Sequence, residues 1–337
     1  MAKVALIRGD GTGPELVDAA LTVLRATGVK AECIPCDAGA EWWERNKKGP
    51  SFIPDETWKI LESSDCCFKG PTTTLAIPGT PKSVAVSIRH RFNLFANVRP
   101  IKTFPNHVGP LGDVDFLCVR EATEGLYSGI EYRLSDDVAI AIRLITRQKS
   151  TRAAKFAFEE AKKRGWRKVA ALSKANILKV SDGLFLDSVK EVAKGYPGIE
   201  LEDFFIDNFA QQLVKNPQRF NQSVMVGTNM FMDIISEEAS GLVGSIGMIY
   251  SANFGEKYAM FEPAHGSTPK YKGQNKVNPT ATILSAAWML EYIGEKKAGK
   301  QIFDATMKVI SEGKNVTYDL GGKAGTREMA AAVVKLL

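Results

Sequence analysis

The sequence predicts an α/β protein, on three observations. Short β-rich runs alternate with longer stretches of helical periodicity; a strand pattern, a glycine-rich turn and an apolar-striped helix open the chain; and the composition is that of an ordinary globular protein. Its 337 residues are 45% hydrophobic and 24% charged, with length for about two domains at roughly 150 residues each.

Residues 4–7 read as the first strand, and 14–24 as a helix because Val17, Ala20, Leu21 and Leu24 share one face. The next strand is expected at 31–36, with others at 115–119, 138–146, 168–172 and 201–206. Helices are expected at 150–163 and 182–194, and amphipathic helices at 279–292, 298–310 and 327–337. With no fixed-period repeat or long linker, a second domain would arise where the chain leaves one sheet and returns to it.

A balance of 44 Lys plus Arg against 38 Asp plus Glu gives +6, enough to attract anionic metabolites but too dispersed for nucleic acid. No run approaches the ~18 apolar residues of a membrane span. Residues 1–8 lead straight into a strand rather than a signal-peptide core, so a cytoplasmic protein is expected. Cys33, Cys36, Cys66, Cys67 and Cys118 lack a disulfide or zinc spacing and read as buried thiols. Three histidines, His90, His107 and His265, are too few for a zinc cluster or a Ser-His-Asp triad.

The turn Gly9-Asp10-Gly11-Thr12-Gly13-Pro14-Glu15 spaces its glycines two and two, where the dinucleotide fingerprint G-x-G-x-x-G needs two and three. Positive φ at a strand-to-helix turn accounts for the three glycines, and Pro14 suits a first helical turn. No phosphate-cradling P-loop is present. Arg89, Arg99 and Arg120 carry forks suited to carboxylates, though each alone reads as a surface arginine. Tyr127 alone reads as a packed tyrosine with a satisfied hydroxyl. Asp233 and Glu237, four apart on the helix pattern 231–239, offer with Asp207 the hard oxygens of a Mg²⁺ or Mn²⁺ site. Lys174 follows an apolar strand, at the end where open α/β sheets bind ligands. His265 stands in a turn-rich loop ahead of a long helix.

Taken in order, Gly9 to Glu15, Lys69-Gly70-Pro71-Thr72-Thr73-Thr74, Asn97-Val98-Arg99-Pro100, residues 120–127, Lys174-Ala175-Asn176, Asp207, residues 229–237 and residues 262–278 carry a resemblance. Across nearly the whole chain they resemble the β-decarboxylating dehydrogenases of 2-hydroxy acids, the isocitrate, isopropylmalate and homoisocitrate dehydrogenase family. The resemblance implies an α/β fold other than Rossmann. Residues 1–94 and 244–337 would form a large domain with the cofactor site. Residues 95–243 would form a smaller central domain, with a clasp at about 125–147 and the dimer interface. The active site would lie between domains and use Lys174 and Asp207 of the partner subunit.

The implied reaction oxidises a 2-hydroxy acid by hydride transfer to a nicotinamide and then releases CO₂, with Mg²⁺ or Mn²⁺ held by Asp207, Asp233 and Glu237. By the resemblance Lys174 takes the hydroxyl proton and Tyr127 reprotonates the product carbon. Arg89, Arg99 and Arg120 clamp the substrate carboxylates, Thr73 meets substrate and Thr74 the nicotinamide. Glu262, His265, Gly266, Lys270, Tyr271, Val277, Asn278 and Tyr318 match the cofactor segments. Ser83 matches isocitrate enzymes, although Ala85 stands where they carry Asn. Lys270, Tyr271 and Tyr318 match an NADP pattern, although Gly322 replaces an expected Arg and NAD remains an alternative. Met232, Glu237, Ala122 and Ser173 depart from the family pattern. The expectation is therefore an NADP-dependent isocitrate dehydrogenase acting as a homodimer or higher even oligomer. Homoisocitrate or isopropylmalate oxidation and a non-catalytic regulatory subunit are the alternatives.

Overall fold

The computed structural model describes residues 1–46, 49–106 and 109–337, so His107 lies outside the described residues. In chain order the elements begin with β1 (Lys3–Ile7), α1 (Gly13–Ala26), β2 (Glu32–Cys36), α2 (Ala40–Arg45), α3 (Asp55–Glu62), β3 (Cys66–Lys69) and α4 (Val84–Arg91). Next come β4 (Ala96–Lys102), β5 (Asp115–Glu121), β6 (Glu131–Ser135), β7 (Val138–Ala141), α5 (Arg147–Lys163), β8 (Lys168–Ser173) and α6 (Ser181–Ala193). They are followed by β9 (Glu200–Phe205), α7 (Ile206–Lys215), β10 (Ser223–Gly227) and α8 (Asn229–Gly241). The chain closes with β11 (Tyr250–Phe254), β12 (Ala259–Pro263), α9 (Thr280–Tyr292), α10 (Lys296–Glu312) and α11 (Thr326–Val334).

These elements form two units: a terminal unit of Met1–Arg91, Phe104–Val108 and Gly244–Leu337, and a central unit of Phe92–Thr103 and Gly109–Val243. The first crossing, expected near residue 94, falls after Arg91, and the short 104–108 segment belongs to the terminal unit.

In the terminal unit β2, β1, β3 and β12 lie parallel in that order, with β11 antiparallel beside β12. Parallel strands buried on both faces read as near-continuous apolar runs, and Val4 to Ile7 and Cys66 to Lys69 are all buried. Helix α1 buries Leu16, Val17, Ala20, Leu21, Val23 and Leu24 against α9 and α11. Glu15 in its first turn and Arg25 in its last complement the helix dipole.

Two expectations change here. Helix α9 is not amphipathic: it packs against α1, α10, β3, β11 and β12, and even Thr280, Thr282 and Ser285 are buried. Gly9 and Gly11 do adopt positive φ, +77° and +57°, but Gly13 does not. Gly13 serves close approach instead, since a Cβ there would stand 2.4 Å from the Arg8 carbonyl oxygen.

In the central unit β5, β10, β8 and β9 run parallel, and β4 lies antiparallel beside β5. Helix α5 packs on β5, β8 and β10 and buries Ala153, Ala154, Ala157, Phe158 and Ala161. The strand expected at 138–146 ends at Ala141, where β7 pairs with β6 as an antiparallel hairpin. Beyond it Ile142 N donates to Ile130 O at 2.8 Å, and Leu144 forms an isolated antiparallel bridge with Gly125. Both hairpin strands are exposed along their length. Of the cysteines, Cys66, Cys67 and Cys118 are buried as expected, whereas Cys33 and Cys36 are partly exposed.

Candidate functional site

The carboxyl ends of parallel strands carry the candidate residues of each unit, as open α/β sheets require. In the central unit Arg120 lies near the end of β5, Lys174 follows β8, Asp207 follows β9, and β10 runs through Thr228 into α8 with Asp233 and Glu237. In the terminal unit the loops after β1, β3 and β12 carry Asp10, Thr73 with Thr74, and His265.

In the β4–β5 ladder Asn97 faces Arg120 and Arg99 lies two residues on, so period-two alternation puts both arginines on the sheet face that α8 covers. Both are buried, against the surface reading of each alone. Arg120 donates from Nε to Asn229 Oδ1 at 2.8 Å and pairs with Asp233, its guanidinium 4.8 Å from the Tyr127 ring centroid. Arg99 donates from Nη1 to Ser236 Oγ at 2.9 Å and Glu237 Oε1 at 3.1 Å, and from Nη2 to Asp233 Oδ1 at 3.4 Å. The Tyr127 hydroxyl donates to Asp233 Oδ2. Burial pushes the Tyr127 hydroxyl above its ordinary value, Arg120 opposes this, and the bond to Asp233 adds to it. The tyrosine therefore stays protonated and can donate.

Lys174 Nζ stands 2.7 Å from Asp207 Oδ2, and that ammonium holds the exposed Asp207 carboxyl below its usual value. A cavity of about 410 Å³ beside them is lined by Ser173, Asn176, Phe204, Phe205 and Asn208. Met232, one of the departures, is fully buried against Gly227, where a Cβ would meet its Cγ at 2.8 Å. The larger side chain is thus accommodated by a glycine on the neighbouring strand.

In the terminal unit Arg89 is also buried: Nε donates to Asn253 Oδ1 at 2.8 Å and Nη2 to Glu262 Oε1 at 3.1 Å. Glu262, expected among the cofactor contacts, is committed to this cluster, with Lys69 Nζ 2.8 Å from its other oxygen. Burial alone would raise its pKa, but Lys69 and Arg89 outweigh that and hold it at about 2.

Asp10 accepts from Ala40 N at 3.0 Å, Glu41 N at 2.9 Å and Thr73 N at 2.7 Å, so the glycine turn gathers loops around a carboxylate. Thr73 Oγ1 lies 2.7 Å from Ser267 Oγ, and Thr74 is exposed beside it. Ser83 Oγ accepts from Val86 N at 3.3 Å at the start of α4.

Six of the residues expected to meet cofactor, His265, Lys270, Tyr271, Val277, Asn278 and Tyr318, line one cavity of about 220 Å³. Gly266 lies beside it and accepts from His265 Nδ1 at 3.0 Å. That bond leaves His265 Nε2 as a buried acceptor without a partner among the described residues. Burial pushes the ring below its ordinary pKa, so it is neutral. Lys276 was not foreseen: its ammonium stands 4.8 Å from the Tyr271 ring centroid and 4.7 Å from that of Tyr318. Asp319, also unforeseen, accepts from Asn278 Nδ2 at 2.9 Å and Ser245 Oγ at 2.7 Å.

The match of a family model to nearly the whole chain shows a dehydrogenase of the β-decarboxylating class. The chain belongs to the isocitrate/isopropylmalate dehydrogenase family, whose model matches residues 3–333. It is 42% identical to the 3-isopropylmalate dehydrogenase of Methanothermobacter thermautotrophicus, over 99% of this chain and 98% of that one. It is 44% identical to the isocitrate/homoisocitrate dehydrogenase of Thermus thermophilus, again over 99% and 98%. The crystal structure of isocitrate dehydrogenase from Methylococcus capsulatus superposes with a TM-score of 0.95 at 42% identity, covering 100% of this chain and 99% of that one. No helix among the described residues is long and apolar enough to cross a membrane.

Proposed function

We propose that the protein is an NADP-dependent isocitrate dehydrogenase, producing 2-oxoglutarate and CO₂ in the cytoplasm as a homodimer. The observation that carries the reading is the convergence of Arg99, Arg120 and the Tyr127 hydroxyl on Asp233. Two buried guanidinium groups beside a carboxylate suit a ligand that brings both carboxylates and a cation. Asp233 and Glu237 are hard oxygen donors one turn apart on α8, a set that fits Mg²⁺ or Mn²⁺. Among the described residues no third His, Cys, Asp or Glu joins them, and the reading takes Asp207 of the partner subunit as the third donor. A bound divalent ion would supply a Lewis acid for the substrate hydroxyl and for charge left by CO₂.

The protein's own groups do the rest. Arg99, Arg120 and Arg89 bind and orient the substrate carboxylates. Lys174 of the partner subunit would take the substrate hydroxyl proton, Thr73 would meet the substrate, and Thr74 would meet a bound nicotinamide, which would supply the hydride acceptor. After CO₂ departs, Tyr127 returns a proton to carbon. Lys270, Tyr271, Tyr318 and Lys276 take the adenosine 2′-phosphate, and His265 Nε2 accepts from the adenosine. A cavity of about 220 Å³ suits one end of a nucleotide, being smaller than the ~300–1,000 Å³ that encloses a whole drug-sized ligand.

A second reading, homoisocitrate or isopropylmalate oxidation, is favoured by Ser83 being engaged at the start of α4 while Ala85 provides no amide. Comparing kcat/KM for the three acids with NADP and NAD at 340 nm tests both. The proposal expects isocitrate with NADP to lead, and a higher value for either other acid replaces it.

A further inference from the structure

Resting on the reading of Lys174 as the base, we propose that Asp182 and Arg143 are the positioning pair that fixes Lys174 for proton transfer. Lys174 opens the turn between β8 and α6, outside regular structure. Its carbonyl accepts from Ile177 N at 3.0 Å and Leu178 N at 2.8 Å, and its own N–H donates to Asp182 Oδ2 at 2.6 Å. Asp182 stands in the first turn of α6, where a carboxylate is favoured by the helix dipole, yet it reaches eight residues back to this N–H. Both backbone groups of Lys174 are therefore fixed, and the base moves only through its side chain.

The Asp182 side chain has no solvent exposure and is paired with Arg143 Nη1. Arg143 also donates from Nη2 to Thr228 Oγ1 at 2.8 Å, and its guanidinium lies 4.9 Å from the Phe231 ring centroid. It is thereby tied to the start of α8, the helix of Asp233 and Glu237. The next residue, Leu144, accepts from Gly125 N at 2.9 Å, two residues before Tyr127. One largely buried ion pair thus joins the turn of Lys174, which serves the neighbouring subunit's site, to the elements that carry this chain's own acid and metal-type donors. An apolar pair of similar volume could pack as stably, so geometry is what this pair contributes.

The step it serves is oxidation of the C2 alcohol. The hydroxyl proton would pass to Lys174 Nζ in its neutral amine form, hydride would pass from C2 to a bound nicotinamide, and the C=O bond would form. A displacement of about 1 Å in such a contact costs on the order of a hundredfold in rate.

The test uses Asp182→Asn, Arg143→Lys and Lys174→Met in the full chain. For each, kcat and KM for isocitrate, the primary isotope effect on kcat with C2-deuterated isocitrate, and decarboxylation of added oxalosuccinate are measured. Asp182→Asn and Arg143→Lys are expected to lower oxidation by tenfold or more, raise the isotope effect, and leave KM and oxalosuccinate decarboxylation near the original values. Should Asp182→Asn fail to fold, Arg143→Lys decides. A purely structural role predicts that both reactions fall together with an unchanged isotope effect, and that result overturns the proposal. Lys174→Met oxidising at the original rate overturns the base assignment and the pair with it. An inactive Lys174→Met beside unaffected Asp182→Asn and Arg143→Lys overturns the pair alone.

Discussion

Glu262 Oε2 stands 2.8 Å from the Lys69 ammonium, with neither side chain more than 8% exposed. Arg89 shares the same carboxylate, and the two cations hold it at about 2 against an ordinary 4.5. Between those values the unfolded chain binds more protons, so this contribution to stability is complete above pH 4.5 and is lost as pH falls toward 2. It amounts to roughly 3 kcal/mol. Glu262→Gln should lower stability at pH 7 by leaving two buried cations underpaired, and should flatten the acid dependence. Urea midpoints at pH 7, 4.5 and 3 check this, and equal acid sensitivity in both proteins would count against it.

Tyr127 donates to Asp233 and is kept protonated chiefly by burial. Tyr127→Phe should lower complete turnover by about 10²–10³-fold, the scale of a lost general acid, with isocitrate binding retained. Steady-state kinetics with a substrate-binding measurement show it, and undiminished kcat removes Tyr127 from the proton path.

The Tyr271–Tyr318 pair is flanked by the Lys270 and Lys276 ammoniums. A carboxylate in their place would repel a 2′-phosphate and accept from free ribose hydroxyls. Lys270→Asp with Tyr271→Ile should move the kcat/KM ratio toward NAD. An unchanged ratio contradicts the cofactor assignment.

On the β6–β7 hairpin Tyr132, Leu134, Val138 and Ile140 are 57%, 62%, 49% and 41% exposed. Contiguous exposed apolar surface marks an interaction site, which the proposed homodimer would cover with a second copy of the chain. Leu134→Glu with Ile140→Glu should yield monomers by light scattering and abolish turnover, since each site would lose Lys174 of the partner subunit. An active monomer contradicts the shared site.

The alternation of elements was legible because period is local: the strands at 4–7, 168–172 and 201–206 and the helices at 150–163 and 182–194 lie where expected, within three residues to either side. What failed depends on surroundings. Residues 280–290 have helical character, but nothing local says that sheet and helices cover every face of α9. The buried arginines look like surface residues until Asn229, Asn253 and the carboxylates that receive them are placed. Lys69 ends an otherwise apolar four-residue strand, a signal of a paired buried charge that periodicity does not weigh. Asp182 and Arg143 are 39 residues apart and become partners only through the fold.

Exhaustive chelation of the purified chain, followed by assay with isocitrate and NADP, is the most direct test of the central claim that arginine-bound substrate is oxidised at a divalent-metal site. The account predicts that turnover disappears and returns on adding Mg²⁺ or Mn²⁺, and that Asp233→Asn prevents the return. Full-speed turnover by folded, metal-free protein would contradict it.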